Sequence, residues 1–287
     1  MQFDSLVVGV DGSPGSQAAL RWACSVVRPG GRIIAGYGYG PRRNNPLGIG
    51  PQSIGTSPGV LDTSVIDLLA GPWTELTNGF DVVVEHAIRS SSPSDTLLEL
   101  AATNQAPMIA LGSHSDSTLG VPRLGGVVGG ILSAAEVPLT LVPPLMNDTA
   151  ALAPSESVVV GIDRSPASVE AFKWALTHHD VSSVTAVEII KPSADETVLE
   201  EVGELDEAVR SLRAFLQTAL DGEVPVTYRV AMADPVEEMI RESATVNLQI
   251  VGAHPRSFVK EYLAPSIVRL VAPFSQCPMC VIPPPAT

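Results

Sequence analysis

Two loops in this chain hold the residue types that could cradle a phosphate. The first, LGSHSDSTLGVPRLGGVV from Leu111 to Val128, leaves the apolar run APMIAL at Gly112 and reaches a new apolar segment through Gly125-Gly126. A glycine-rich passage from strand to helix lets backbone amides approach an anion, and a helix start favours negative charge. The second, LQIVGAHPRSFVKEYLAPSIVRLV from Leu248 to Val271, has the same outline but carries Pro255 and Pro265. Proline has no N–H, so two anion-facing donors are missing from it. Arg123 is the best-placed cation of the first loop, and Arg256 and Lys260 supply charge in the second. His114 and His254 fall at matching positions, where each could face a phosphate or its metal or serve as an ordinary loop histidine. Arg42 and Arg43 head a Gly/Pro-rich segment from Gly40 to Pro58, of a length that in a compact domain is usually functional or mobile.

Catalysis has less support. Phosphoryl transfer would call for a P-loop lysine and a positioned base, yet neither GxxxxGK[ST] nor SGGxDS occurs, so no enzyme activity is expected. One carboxylate, Asp11, is a thin basis for a metal site. Cys277-Pro-Met-Cys280 has CxxC spacing, but QCPMCVIP reads as a strand, on which side chains three apart point to opposite faces. With three cysteines in all, a disulfide framework is not expected.

The elements that must position these residues come as a duplication. VVGVDGSPGSQAALRWA, Val7 to Ala23, aligns without a gap with VVGIDRSPASVEAFKWA, Val159 to Ala175, at a constant offset that pairs Asp11 with Asp163 and Trp22 with Trp174. In the first copy SLVVGV reads as a buried strand, and Ser13-Pro14 as a helix cap and first turn. RIIAGYGY is the second strand, and a helix from about Val60 to Asn78 should break at Gly71-Pro72. DVVVEHAI is the third strand, SPSDTLLELAATN a helix capped by Ser92 or Ser94, and PMIALG the fourth strand, with VVGGILSAAE and VPLTLVPP closing the copy. The second copy repeats this order without the long Gly/Pro loop, and Leu205, Val209, Leu212, Leu216 and Leu220 give its long helix one apolar stripe. Helices alternating with short buried strands imply right-handed crossovers and a parallel sheet covered on both faces. The expected fold is α/β, with two tandem doubly wound domains over 1–143 and 155–287 joined by a linker at 144–154.

At 287 residues the chain can build two cores, and 45% hydrophobic with 17% charged residues suits compact domains. A formal net charge of -14 argues against nucleic acid or an anionic membrane as a partner, so a nucleotide would be held mainly by backbone amides. No run approaches the roughly 18 to 20 apolar residues of a membrane span, and the N-terminus lacks a basic n-region, which leads us to expect a cytoplasmic protein.

Each half resembles a universal stress protein domain, and the whole resembles the tandem stress proteins of actinobacteria. The likeness rests on the opening VVGVDGSPGS, the GSHS loop, and the endings AEVPLTLVPP and SQCPMCVIPP. It implies a five-stranded parallel sheet of the adenine nucleotide α-hydrolase-like kind, and in the nucleotide-binding branch ATP lying over a G-x2-G-x9-G-[ST] loop. An acidic residue after the first strand would contact the adenosine, a role falling on Asp11 and Asp163. Matched position by position, the first copy has Gly112 and Gly125 but Ser115 and Gly126 at the other two places. The second keeps Gly252 and Ser266 with Pro255 and Pro265 between them. The implied site is therefore Gly9, Val10, Asp11, Gly112, His114, Ser115, Arg123, Gly125, Gly126 and Val127, with Asp163, Gly252 and Ser266 as its weaker counterpart. ATP, with Mg, is the implied ligand. The alternatives are a ligand-free scaffold whose domains pair within the chain or between chains, and a binder of another small molecule.

Overall fold

The computed structural model describes residues 2–40, 63–113, 124–144, 157–191, 202–253 and 267–284. The chain divides into two compact units, Gln2–Pro154 and Ser155–Thr287. In the first unit the order is β1 (Phe3–Gly9), α1 (Pro14–Val26), β2 (Val27–Gly38), α2 (Ser64–Ala70), a 3-10 turn (Glu75–Gly79), β3 (Val82–Arg89), α3 (Pro93–Thr103), β4 (Ile109–Gly112), α4 (Gly126–Ile131) and β5 (Leu139–Val142). The strands lie in the order β3-β2-β1-β4-β5 and every pairing is parallel.

The second unit repeats the plan with β6 (Val158–Ile162), α5 (Pro166–His178), β7 (Val184–Ile190), α6 (Val202–Ala219), β8 (Thr227–Met232), α7 (Pro235–Glu242), β9 (Leu248–Gly252), α8 (Ile267–Val271) and β10 (Met279–Ile282). Its strand order is β8-β7-β6-β9-β10, again all parallel. Leu6, Val7 and Val8 in β1 and Val158, Val159 and Val160 in β6 are all buried, because helices cover both faces of a parallel sheet. The Leu-rich stripe of α6 is buried at Leu212 and Leu216, whereas Leu205, a turn or two earlier, is exposed.

Local chemistry sets the helix starts. Ser13 and Ser165 cap α1 and α5, accepting from Ser16 N at 3.2 Å and Ser168 N at 3.1 Å, each followed by a proline whose missing N–H costs nothing there. Ser92, not Ser94, caps α3 by accepting from Asp95 N. Two boundaries differ from the sequence reading. β2 begins at Val27, ahead of the RIIAGYGY run, with its register to β1 shifting between Val27 and Arg32, where Gly30 sits at φ 72°. β10 begins at Met279, so Cys277 lies ahead of the strand, and the opposite-faces argument does not apply to it. Cys24, Cys277 and Cys280 are buried without a disulfide, and burial pushes the Cys24 and Cys277 thiols up to about 12.

Candidate functional site

In each unit the chain runs outward from the first strand to the second and third, then returns to place the fourth on the other side. The order therefore reverses between β1 and β4 and between β6 and β9. In open α/β sheets the crevice beyond the carboxyl ends of such a strand pair is where ligands bind. In the first unit its edges are Gly9-Val10-Asp11 and Gly112. In the second they are Gly161-Ile162-Asp163 and Gly252.

The turn after the first strand is built identically in both. Asp11 Oδ1 accepts from Ser13 N at 3.0 Å and Ser13 Oγ at 2.6 Å, and Asp163 Oδ1 accepts from Ser165 N and Oγ at the same two distances. Both carboxylates are exposed, and Asp11 Oδ2 takes no part in these two bonds. Val10 plays a different part. It is buried and gives its N–H to Gly36 O at 3.0 Å, so it belongs to the sheet. Gly9 also serves packing, since a Cβ there would stand 3.0 Å from Leu97 Cδ1 and closer still to Leu111 Cδ2.

Gly112 and Gly252 are glycines for a packing reason as well. A Cβ on Gly112 would lie 2.6 Å from Gly15 C, and one on Gly252 2.7 Å from Ser168 N, so the fourth strand of each unit runs directly against the first turn of its first helix. The next amides, Ser113 N and Ala253 N, donate to Val142 O and Ile282 O across the sheet. They are committed to the fold. Among the described residues, donors for an anion in the first unit are then at the start of α4, where Gly125 is the N-cap, no side chain caps it, and Gly126 and Val127 follow. α4 is held there by close packing of Gly130 on Ser94 of α3. His114, Ser115, Arg123 and Ser266 lie outside the described residues, as do Arg42, Arg43, His254, Pro255, Arg256, Lys260 and Pro265.

The two crevices diverge one residue after the aspartate. Gly12 sits at φ 78°, and the indole of Trp73 lies over it: a Cβ on Gly12 would be 2.5 Å from Trp73 Cε2 and nearer still to Nε1. The Tyr37 ring is beside this indole, with centroids 5.7 Å apart at a 48° tilt. The Gly71-Pro72 break is what delivers Trp73. α2 stops, Trp73 N–H donates back to Leu68 O at 2.9 Å, and the buried Thr74 hydroxyl donates to Leu69 O at 2.8 Å and meets His86 Nε2 of β3 at 3.2 Å.

In the second unit the aligned residue is Arg164, at φ 62°. Its guanidinium makes a two-pronged bond to Glu188, Nε to Oε1 at 2.6 Å and Nη2 to Oε2 at 2.8 Å, donates to Ser211 Oγ at 3.1 Å, and lies 5.6 Å from the Phe215 ring centroid. Bonding to Glu188 raises the Arg164 pKa above its usual value. Gly9 pairs with Gly36 and Gly161 with Val187, so Glu188 stands in β7 where Tyr37 stands in β2. Tyr37, Trp73, Arg164 and Glu188 are absent from the residues expected from the sequence. For Arg164 the signal was present in the repeat itself, as the one break between DGSP and DRSP.

A family model described as the universal stress protein family matches residues 2–143 and again 155–283. The chain belongs to the universal stress protein family. A universal stress protein of Mycolicibacterium smegmatis is 28% identical over 97% of both chains. Another, from Mycobacterium tuberculosis, is 29% identical over 67% of this chain and 66% of its own length. Among solved structures, a universal stress protein from Archaeoglobus fulgidus shares the fold at 16% identity with a TM-score of 0.57, covering 99% of this chain and 100% of that one. In this universal stress protein no described helix is long and apolar enough to cross a membrane, and no group of three or more His, Cys, Asp or Glu among the described residues could hold a metal ion.

Proposed function

We propose that this tandem universal stress protein binds an adenine nucleotide, ATP with Mg, in the crevice of its first unit without turning it over, and that its second unit binds none. The observation that carries the reading is the pair Gly12 and Arg164. One position carries no side chain and lies beneath the Trp73 indole, while its twin carries a side chain anchored by Glu188 across the same ground. Opening the second crevice would mean breaking a charge-assisted, two-pronged bond and leaving Glu188, whose side chain is 12% exposed, without its guanidinium.

In the first unit Asp11 would face the ribose with Oδ2, and the uncapped start of α4 at Gly125, Gly126 and Val127 would face the phosphates. The reading also agrees with the sequence, in which no P-loop motif occurs. Thermal unfolding with and without Mg-ATP tests it. Saturation at a hundred times Kd adds about 2.7 kcal/mol and raises Tm. An unchanged Tm at millimolar Mg-ATP would favour the ligand-free scaffold.

A further inference from the structure

We infer that Trp73, flanked by Tyr37, is the surface on which the base of the bound nucleotide stacks, so that the first unit selects its ligand by a planar heteroaromatic ring. The inference rests on the nucleotide reading above and adds to it the residue that recognises the base. Both rings are half-buried. Trp73 is fixed at its base by the Gly71-Pro72 break and by the buried Thr74, and its indole edge rests on Gly12. It is therefore a preorganised platform at the lip of the crevice, directly after the aspartate that would face the sugar. A platform that need not be ordered on binding loses little entropy to it.

Charge makes stacking the economical choice. With 31 acidic against 17 basic residues, the protein's field does not favour a polyphosphate, so contact with an uncharged part of the ligand would add to what the backbone amides supply. Every base offers a π face, and aromatic side chains exploit it without a cation. The second unit shows that a planar group suits this spot. There the Arg164 guanidinium occupies the position above the turn and lies over an aromatic ring, Phe215. With Tyr37 replaced by Glu188, that unit satisfies its own planar group from within.

The test uses the full chain. The protein has three tryptophans: Trp22 is 5% exposed, and Trp174 belongs to the second unit and stacks on His178 at 4.2 Å. Titration with Mg-ATP should quench emission from Trp73, and the quench should vanish in Trp73→Phe while calorimetric affinity stays within about threefold, because a ring remains. Trp73→Ala should weaken ATP about 5- to 150-fold, the range for removing one base-stacking ring, and should leave tripolyphosphate, which has no base, unaffected. The urea midpoint of each variant confirms that it is folded. Wild-type binding of one ATP per chain, with Trp73→Ala binding as tightly or more tightly, would overturn the inference and leave the nucleotide reading standing. No heat and no quench in the wild type would overturn both.

Discussion

Arg164 offers a test in which backbone and side chain can be separated. It occupies a left-handed conformation at φ 62°, which costs an L-residue about 1 to 2 kcal/mol and a glycine almost nothing. Its guanidinium meanwhile neutralises a carboxylate that is 12% exposed, although its own side chain is 37% exposed. Removing one member of a fully buried pair costs about 3 to 5 kcal/mol. Solvent on the arginine side screens this one, and we set the loss at roughly 2 kcal/mol. Arg164→Ala should therefore destabilise the second unit by about 2 kcal/mol. Arg164→Gly should be about 1 kcal/mol more stable than Arg164→Ala, although it removes more of the side chain. The assay is urea unfolding with a constant slope, paired with Glu188→Gln in a double-mutant cycle, where a coupling of about 1 kcal/mol or more is expected. If Arg164→Gly were the less stable of the two, the strain argument would be wrong. A coupling near zero would remove the ion pair as the lock on the second crevice.

Three further outcomes follow from the same geometry. Gly112→Ala and Gly252→Ala should each cost about 1 to 3 kcal/mol of stability with or without nucleotide, because the added Cβ meets backbone of α1 or α5; a silent substitution in a urea melt would contradict the packing. Burial foremost, with the neighbouring His178 adding to it, pulls His179 down to about 4. The unfolded chain then binds the extra proton, so stability should fall as pH drops from about 6.5 towards 4, by at most about 3 kcal/mol; a His179→Gln variant with the same urea-midpoint slope over that range would refute the assignment. Iodoacetamide at pH 8 should leave Cys24 and Cys277 unlabelled in the folded protein, since both thiols are buried and pushed up to about 12; rapid labelling of either would show that its cover opens.

Much of the fold was legible because the repeat is written twice. Alternation of short apolar runs with capped helices, Ser13-Pro14 against Ser165-Pro166, fixes order and class without reference to contacts. The break at Gly71-Pro72 was equally plain, but its purpose was not. Nothing local says that the residue after it, Trp73, comes to rest on Gly12, since the two are far apart in sequence and meet only when the sheet is assembled. Candidate residues were assigned by motif, and motif does not separate a glycine needed by a ligand from one needed by a neighbour. Gly9 and Gly112 prove to be spaces for Leu111 and for α1, and Val10 is core. A consequence is that Gly112→Val is unsuitable as a binding test, because it would damage the fold first.

The matched pair Asp11 and Asp163 tests the central claim most directly. Both accept the same two hydrogen bonds, so replacing either by alanine removes that same pair from its turn, and the ligand difference can be read beside it. Calorimetric titration with Mg-ATP should give one site per chain in the wild type and in Asp163→Ala, with binding weakened or lost in Asp11→Ala. Heat that survives in Asp11→Ala and disappears in Asp163→Ala would place the nucleotide in the second unit and contradict the account.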